Sequence, residues 1–72
     1  MEPNEFITLK RDYESSMTPL WNDPMTIETL DKIVYSIHLR KYTLEEFSSF
    51  VKENLEKGDF AWECLRYVRE RV

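Results

Sequence analysis

Residues 42–58 read YTLEEFSSFVKENLEKG, and they contain the clearest helix of the chain. Thr43 and Glu46 have the spacing of a capping box, in which each side chain accepts a hydrogen bond from the other residue's backbone N–H. Apolar residues follow at three- and four-residue intervals, as on one face of a helix: Leu44, Phe47, Val51 and Leu55. Gly58 supplies an end, because glycine is favoured just beyond a helix. The pattern predicts an amphipathic helix that stops at Gly58.

A second helix is expected before this one, in the stretch TIETLDKIVYSIHLRK at residues 26–41. Thr26 stands where an N-cap would lie, and Arg40 and Lys41 place cations near the negative end of the helix dipole. The apolar stripe has helical spacing, and Ile33 widens it: Ile27, Leu30, Val34 and Ile37.

A third helix is expected in DFAWECLRYVRERV, residues 59–72, with Asp59 as its cap. Its apolar residues form a continuous stripe: Phe60, Ala61, Cys64, Leu65, Val68 and Val72. Gly58 and Asp59 alone are expected to make the turn that joins this helix to the preceding one.

The first 25 residues are harder to interpret. One helical face starting near Asn4 would carry Phe6, Leu9, Tyr13 and Met17, whereas FITL alone also fits a short strand. A helix is favoured because no second strand is evident to pair with. Pro19 and Pro24 bound an irregular connector, and Asp23 is biased away from helix by the proline that follows it.

These patterns predict an all-α domain that spans residues 1–72. It comprises an N-terminal segment and Pro-flanked connector at 1–25 and a three-helix core at 26–72. The N-terminal segment is expected to be a short helix or an ordered arm. The predicted core residues are Leu30, Val34, Ile37, Phe47, Val51, Leu55, Leu65 and Val68. A chain of this size buries only about 60% of its unfolded surface, so each large apolar residue matters.

Charge and composition exclude several classes of partner. The chain carries 10 basic and 14 acidic residues, a net charge of -4, and no segment is a basic arm, so no nucleic-acid partner is expected. Acids near Met1 are wrong for a secretory signal, and no uncharged run approaches the roughly 20 residues that span a bilayer. Because a lone cysteine, Cys64, fits a reducing compartment, we expect a cytoplasmic protein without a membrane partner.

No catalytic, cofactor-binding or metal-binding residues are predicted. The single glycine excludes the familiar phosphate-binding loops, and His38 and Cys64 are the only residues of their types. Cys64 lies within an apolar stripe, where a thiol is generally inert. Glu45 and Glu46 belong to the first turn of a helix, where carboxylates stabilise the dipole. An enzyme is therefore not expected.

Five residues are candidates for binding a partner. Trp62, Arg66 and Arg69 are spaced to share one side of the last helix, and Trp and Arg are enriched at the energetic centres of protein interfaces. The alternative is that Trp62 packs under the N-terminal segment with Arg66 stacked over its ring. Leu20 and Trp21, between the two connector prolines, could plug a groove between the helices at 26–41 and 59–72, or form a second anchor.

The leading hypothesis is a non-enzymatic intracellular protein-interaction module, such as a small regulator or inhibitor of a larger protein. One alternative is a helix-turn-helix DNA-binding regulator, although Asp59 and Glu63 would then face phosphates. Another is a self-associating structural protein or homodimer, in which a second copy covers Ile33, Tyr35 and Leu39.

Overall fold

A computed structural model describes residues 2–55 and 58–72, and within those ranges all regular structure is helical. The helices are α1 (Asn4–Ser15), α2 (Pro24–His38), α3 (Leu44–Asn54) and α4 (Phe60–Arg71). The predicted all-α class is therefore confirmed. The N-terminal segment forms a helix, α1, as predicted, and not a strand.

Helix α1 presents Phe6 and Leu9 to the core, and Tyr13 packs against it from the edge. The predicted extension of this face to Met17 is wrong. The helix ends at Ser15 because Ser16 adopts an extended backbone, and the Met17 side chain is 97% exposed.

Helix α2 begins at Pro24, three residues before Ile27, where the apolar pattern starts. Asp23 is the N-cap, and its Oδ1 accepts a hydrogen bond of 2.9 Å from the Met25 N–H. Pro24 occupies the first helical position, where its missing N–H costs nothing. The expected cap, Thr26, is instead a buried residue inside the first turn.

The chain turns after the end of α2 through a left-handed residue that is not glycine. Arg40 has a φ of 61°, its N–H donates to the Ile37 carbonyl, and the Lys41 N–H donates to the Ser36 carbonyl. This pair of hydrogen bonds is a Schellman motif, which satisfies carbonyls that the helix would leave unpaired.

The predicted capping box of α3 is confirmed. The Glu46 N–H donates to Thr43 Oγ1 at 3.1 Å, and the Thr43 N–H donates to Glu46 Oε1 at 3.3 Å. The helix ends at Asn54, before the predicted stop at Gly58. Residues 56 and 57 lie outside the described residues, and with them part of the turn that Gly58 and Asp59 alone were expected to make.

Helix α4 buries Phe60, Cys64 and Val68 along one face. Asp59 occupies the N-cap position as expected, but its backbone is already helical and its side chain makes no capping hydrogen bond. Val72, the last residue of the predicted stripe, is exposed.

The core is built by all four helices, since α1 packs on α2 and α3, and α4 packs on α2 and α3. It is not confined to 26–72, because Phe6 stacks on Phe50 with ring centroids 4.7 Å apart and meets Tyr42 edge-on at the same distance. Of the predicted core, Val34, Ile37 and Leu65 are only partly buried. The buried apolar residues are Phe6, Leu9, Leu30, Ile33, Tyr42, Phe47, Phe50, Val51, Leu55, Phe60, Cys64 and Val68.

Candidate functional site

Trp62 lies on the side of α4 that faces away from the core. Its side chain is 60% exposed, whereas Phe60 and Cys64, on either side of it in sequence, are buried. The interpretation in which Trp62 packs under the N-terminal segment is therefore wrong. The core closes without this indole, which leaves a large apolar surface in contact with water.

Arg66 lies one turn after Trp62 and holds its guanidinium over the indole. The guanidinium carbon is 5.6 Å from the ring centroid, within the range of a cation–π contact. Arg66 also forms ion pairs of 3.7 Å with Glu63 and with Glu70 on the same helix. These three contacts hold the Arg66 guanidinium beside the Trp62 indole.

Arg69 completes the predicted face. It is exposed and makes no ion pair with any residue in the ranges 2–55 and 58–72. Together with Trp62, Leu65, Arg66 and Glu70 it lines a shallow notch of about 120 Å³. Its lining combines two apolar side chains, two arginines and one glutamate, and it is called the α4 notch below.

Trp21 is brought to the other side of Arg66. It is partly buried and packs against the core, which supports the interpretation of this residue as a plug. With Arg66 and Tyr67 it borders a second cavity, of about 260 Å³. Arg66 therefore stands between the two tryptophans, which border separate cavities.

Leu20 is separated from that arrangement. Its side chain is 55% exposed and lines a groove of about 490 Å³ beside Met17, Trp21 and Phe60. The structure thus unites Trp62, Arg66 and Arg69 in one notch, places Trp21 next to it, and puts Leu20 on an adjoining surface. The expectation that Leu20 helps to plug the core is not met.

A further exposed surface lies on α2. Tyr35 is 65% exposed, Leu39 is exposed, and Tyr35 borders a groove of about 660 Å³ with Ile27 and Pro24. Ile33, which was expected to take part in self-association, is fully buried and unavailable. The sequence pattern identified Tyr35 and Leu39 but not the groove, which is lined in part by Pro24 from the first turn of α2.

The single cysteine and the single histidine lie in different surroundings. Burial raises the pKa of the Cys64 thiol to about 12, so the reactive thiolate is suppressed. His38 is exposed at the end of α2. Among the described residues, no three His, Cys, Asp or Glu side chains converge in a way that could hold a metal ion.

Helix α4 has the acidic first turn expected from the sequence. Asp59 precedes the helix and Glu63 lies in its first turn, whereas Arg69 and Arg71 lie in the last. A recognition helix reads bases mainly with its N-terminal residues, and here those residues would repel phosphates. Over residues 2–55 and 58–72, no helix is long and apolar enough to cross a membrane.

No protein family, curated protein or solved structure was found to match this chain.

Proposed function

We propose that this chain is a non-enzymatic protein-interaction module of the cytoplasm, a small regulator or inhibitor that docks the α4 notch on a larger protein. The observation that carries the proposal is the 60% exposure of Trp62 on a helix whose opposite face already completes the core. A tryptophan left in water beside two arginines has the composition typical of an interface centre. The buried thiol of the lone Cys64 fits a reducing compartment.

Pre-organisation supports the same proposal. Binding costs free energy when flexible side chains become ordered, by about 0.5 to 1.5 kcal/mol for each rotamer-rich residue. Arg66 is already held by Trp62, Glu63 and Glu70, so much of its ordering precedes association. Such a face suits an inhibitor, which needs a matching surface and no cleft.

The experiment that tests the proposal is affinity capture from a nuclease-treated lysate of the native host. Three baits are compared: the wild-type chain, the Trp62→Ala variant and the Tyr35→Ala variant. Tyr35 is the matched control because it is another exposed aromatic residue, on α2. We expect the same protein to be recovered by the wild type and by Tyr35→Ala and to be lost with Trp62→Ala.

A purified partner then allows a direct measurement. Trp62→Ala should weaken its affinity at least tenfold, which corresponds to about 1.4 kcal/mol, while Tyr35→Ala should leave it unchanged. Equal recovery by the wild type and Trp62→Ala would contradict the proposal.

Self-association is the second candidate, and two observations favour it: Tyr35 is exposed beside the groove of about 660 Å³, and Leu39 is exposed at the end of α2. Light scattering should then give twice the mass of one chain, and Tyr35→Ala should return it to the monomer. A monomeric mass at high protein concentration would exclude it.

A further inference from the structure

We propose that the α4 notch receives an acidic amphipathic helix, which inserts one apolar side chain beside Trp62 and places a carboxylate on Arg69. This inference rests on the proposed function and specifies the chemistry of the partner. Three features support it: the size and lining of the notch, the partners that its arginines already have, and the helical backbone of α4.

The shape of the notch defines the apolar part of the ligand. Leu65 lines the notch and also packs against the core. Trp62 and Arg69, seven residues apart on α4, line it as well. A volume of about 120 Å³ has room for one side chain of the size of leucine or methionine, and it is too small for several side chains at once.

The pairing of charges defines the polar part. Arg66 already has carboxylate partners, Glu63 and Glu70, on its own helix. Arg71 lies over the Tyr67 ring, with its guanidinium carbon 3.5 Å from the centroid, and donates to the Tyr67 carbonyl. Of these three arginines, only Arg69 has neither an ion pair nor an aromatic or carbonyl partner in the described part of the chain. A carboxylate of the ligand would supply one, as a charge-assisted hydrogen bond.

The spacing of Trp62 and Arg69 fits a helical ligand. Seven residues of α-helix rise by about 10 Å, so the apolar anchor and the carboxylate must be separated by one to two helical turns. Helix α4 offers no free strand edge, because its backbone groups are bonded within the helix. A second helix that lies along the notch therefore matches it better than an extended peptide does.

Two other ligands match the notch less well. Nucleic acid and anionic membranes present arrays of phosphates, whereas the notch holds one apolar-sized space beside a single arginine without an ion pair in the described part of the chain.

The test uses the full chain labelled with ¹⁵N and three stapled helical peptides. The first carries a central leucine with glutamates one turn to either side. The second replaces the glutamates with lysines, and the third replaces the leucine with serine. Titrations are followed by the indole N–H signal of Trp62 and the backbone amide of Arg69.

We expect the glutamate peptide to shift both signals and to bind at least tenfold more tightly than either other peptide. Arg69→Glu should reverse the preference between glutamate and lysine peptides. Lys52→Glu is the matched control, because it changes net charge equally on the exposed surface of α3, and it should keep the original preference. Equal binding of the two charged peptides, or no binding, would overturn the acidic-helix proposal.

A failure of the acidic-helix proposal can be distinguished from a failure of the proposed function. If lysate capture depends on Trp62 but an excess of the glutamate peptide does not displace the captured protein, the interaction module stands and the acidic helix is wrong. If capture does not depend on Trp62, both fail. Shifts of the Trp62 and Arg69 signals by a DNA duplex or by anionic phosphatidylserine vesicles, without an effect of the peptide, would also overturn the inference.

Discussion

The Tyr67 hydroxyl donates a hydrogen bond of 2.5 Å to Asp31 Oδ1 and so joins α4 to α2. This hydrogen bond is the main reason why the pKa of Tyr67 is raised, because it favours the protonated phenol. It crosses a surface of the bundle, where water competes with it.

Removing that hydroxyl should cost little but measurable stability. We expect Tyr67→Phe to lower the free energy of unfolding by about 0.5 to 1 kcal/mol, the net value of a partly solvated hydrogen bond. Urea denaturation measures it, and Tyr35→Phe should show no change because the Tyr35 hydroxyl is exposed. A double-mutant cycle with Asp31→Ala, which removes the acceptor, should give coupling of the same size.

Trp62→Ala should leave the fold intact. The exposed indole loses mainly its contact with Arg66, so the stability loss should stay below about 1 kcal/mol. Phe47→Ala, in the fully buried centre, should cost about 3 to 5 kcal/mol. A loss near that of Phe47→Ala would mean that Trp62 is structural, and binding results with the variant would lose their meaning.

Arg40→Gly should stabilise the protein. A φ of 61° is unfavourable for a side chain with Cβ, and glycine adopts it without strain. The expected gain is about 0.5 to 1 kcal/mol in thermal or urea unfolding. Lys41→Gly, at the next position, lacks a positive φ and should give no gain.

Asp12→Ala should also be stabilising. Its Oδ2 is buried without a hydrogen-bond partner in the described part of the chain, and the carboxylate lies in the last turn of α1, where it opposes the helix dipole. We expect an increase of about 0.5 to 1 kcal/mol in the free energy of unfolding. Glu14 is exposed in the same turn, so Glu14→Ala removes only the contribution of the helix dipole. It should raise the free energy of unfolding by less than Asp12→Ala does.

Stability should fall at alkaline pH. Burial raises the pKa of Cys64 and that of Tyr42 to about 12 in the folded chain. The unfolded chain releases these protons at lower pH. Cys64 therefore contributes stability that is fully present below the unfolded pKa of a thiol, 9.0, and Tyr42 below that of a phenol, 10.0; both contributions disappear as pH rises toward 12. Urea unfolding between pH 7 and 11 measures the decline, which should begin at higher pH in Cys64→Ala.

Local signals predicted the local features of the fold. Thr43 and Glu46 are three residues apart, and a capping box needs only that spacing, so the start of α3 was predicted correctly. The start of α2 was missed although Asp23 and Pro24 form a strong start signal, because the apolar repeat first becomes visible at Ile27. Sequence periodicity locates the face of a helix better than its ends.

Tertiary packing decided what periodicity could not. Met17 continues the apolar spacing of α1 by chance, beyond the point where the backbone leaves the helix. Trp62 could be placed on the outer face by its angle from the core stripe, but its exposure depends on whether another segment covers it. Trp21 lies in a connector without a repeat, so only the folded chain shows that it reaches α4.

The aromatic partners of Phe6 are Tyr42, Phe47 and Phe50, all on or next to α3. During synthesis, these aromatic rings therefore follow both α1 and α2. A nascent chain stopped ahead of residue 42 has α2 to pack on α1 but holds Phe6 without its aromatic neighbours, as a segment that chaperones and proteases can engage. Closure of the core around Phe6 thus waits for α3.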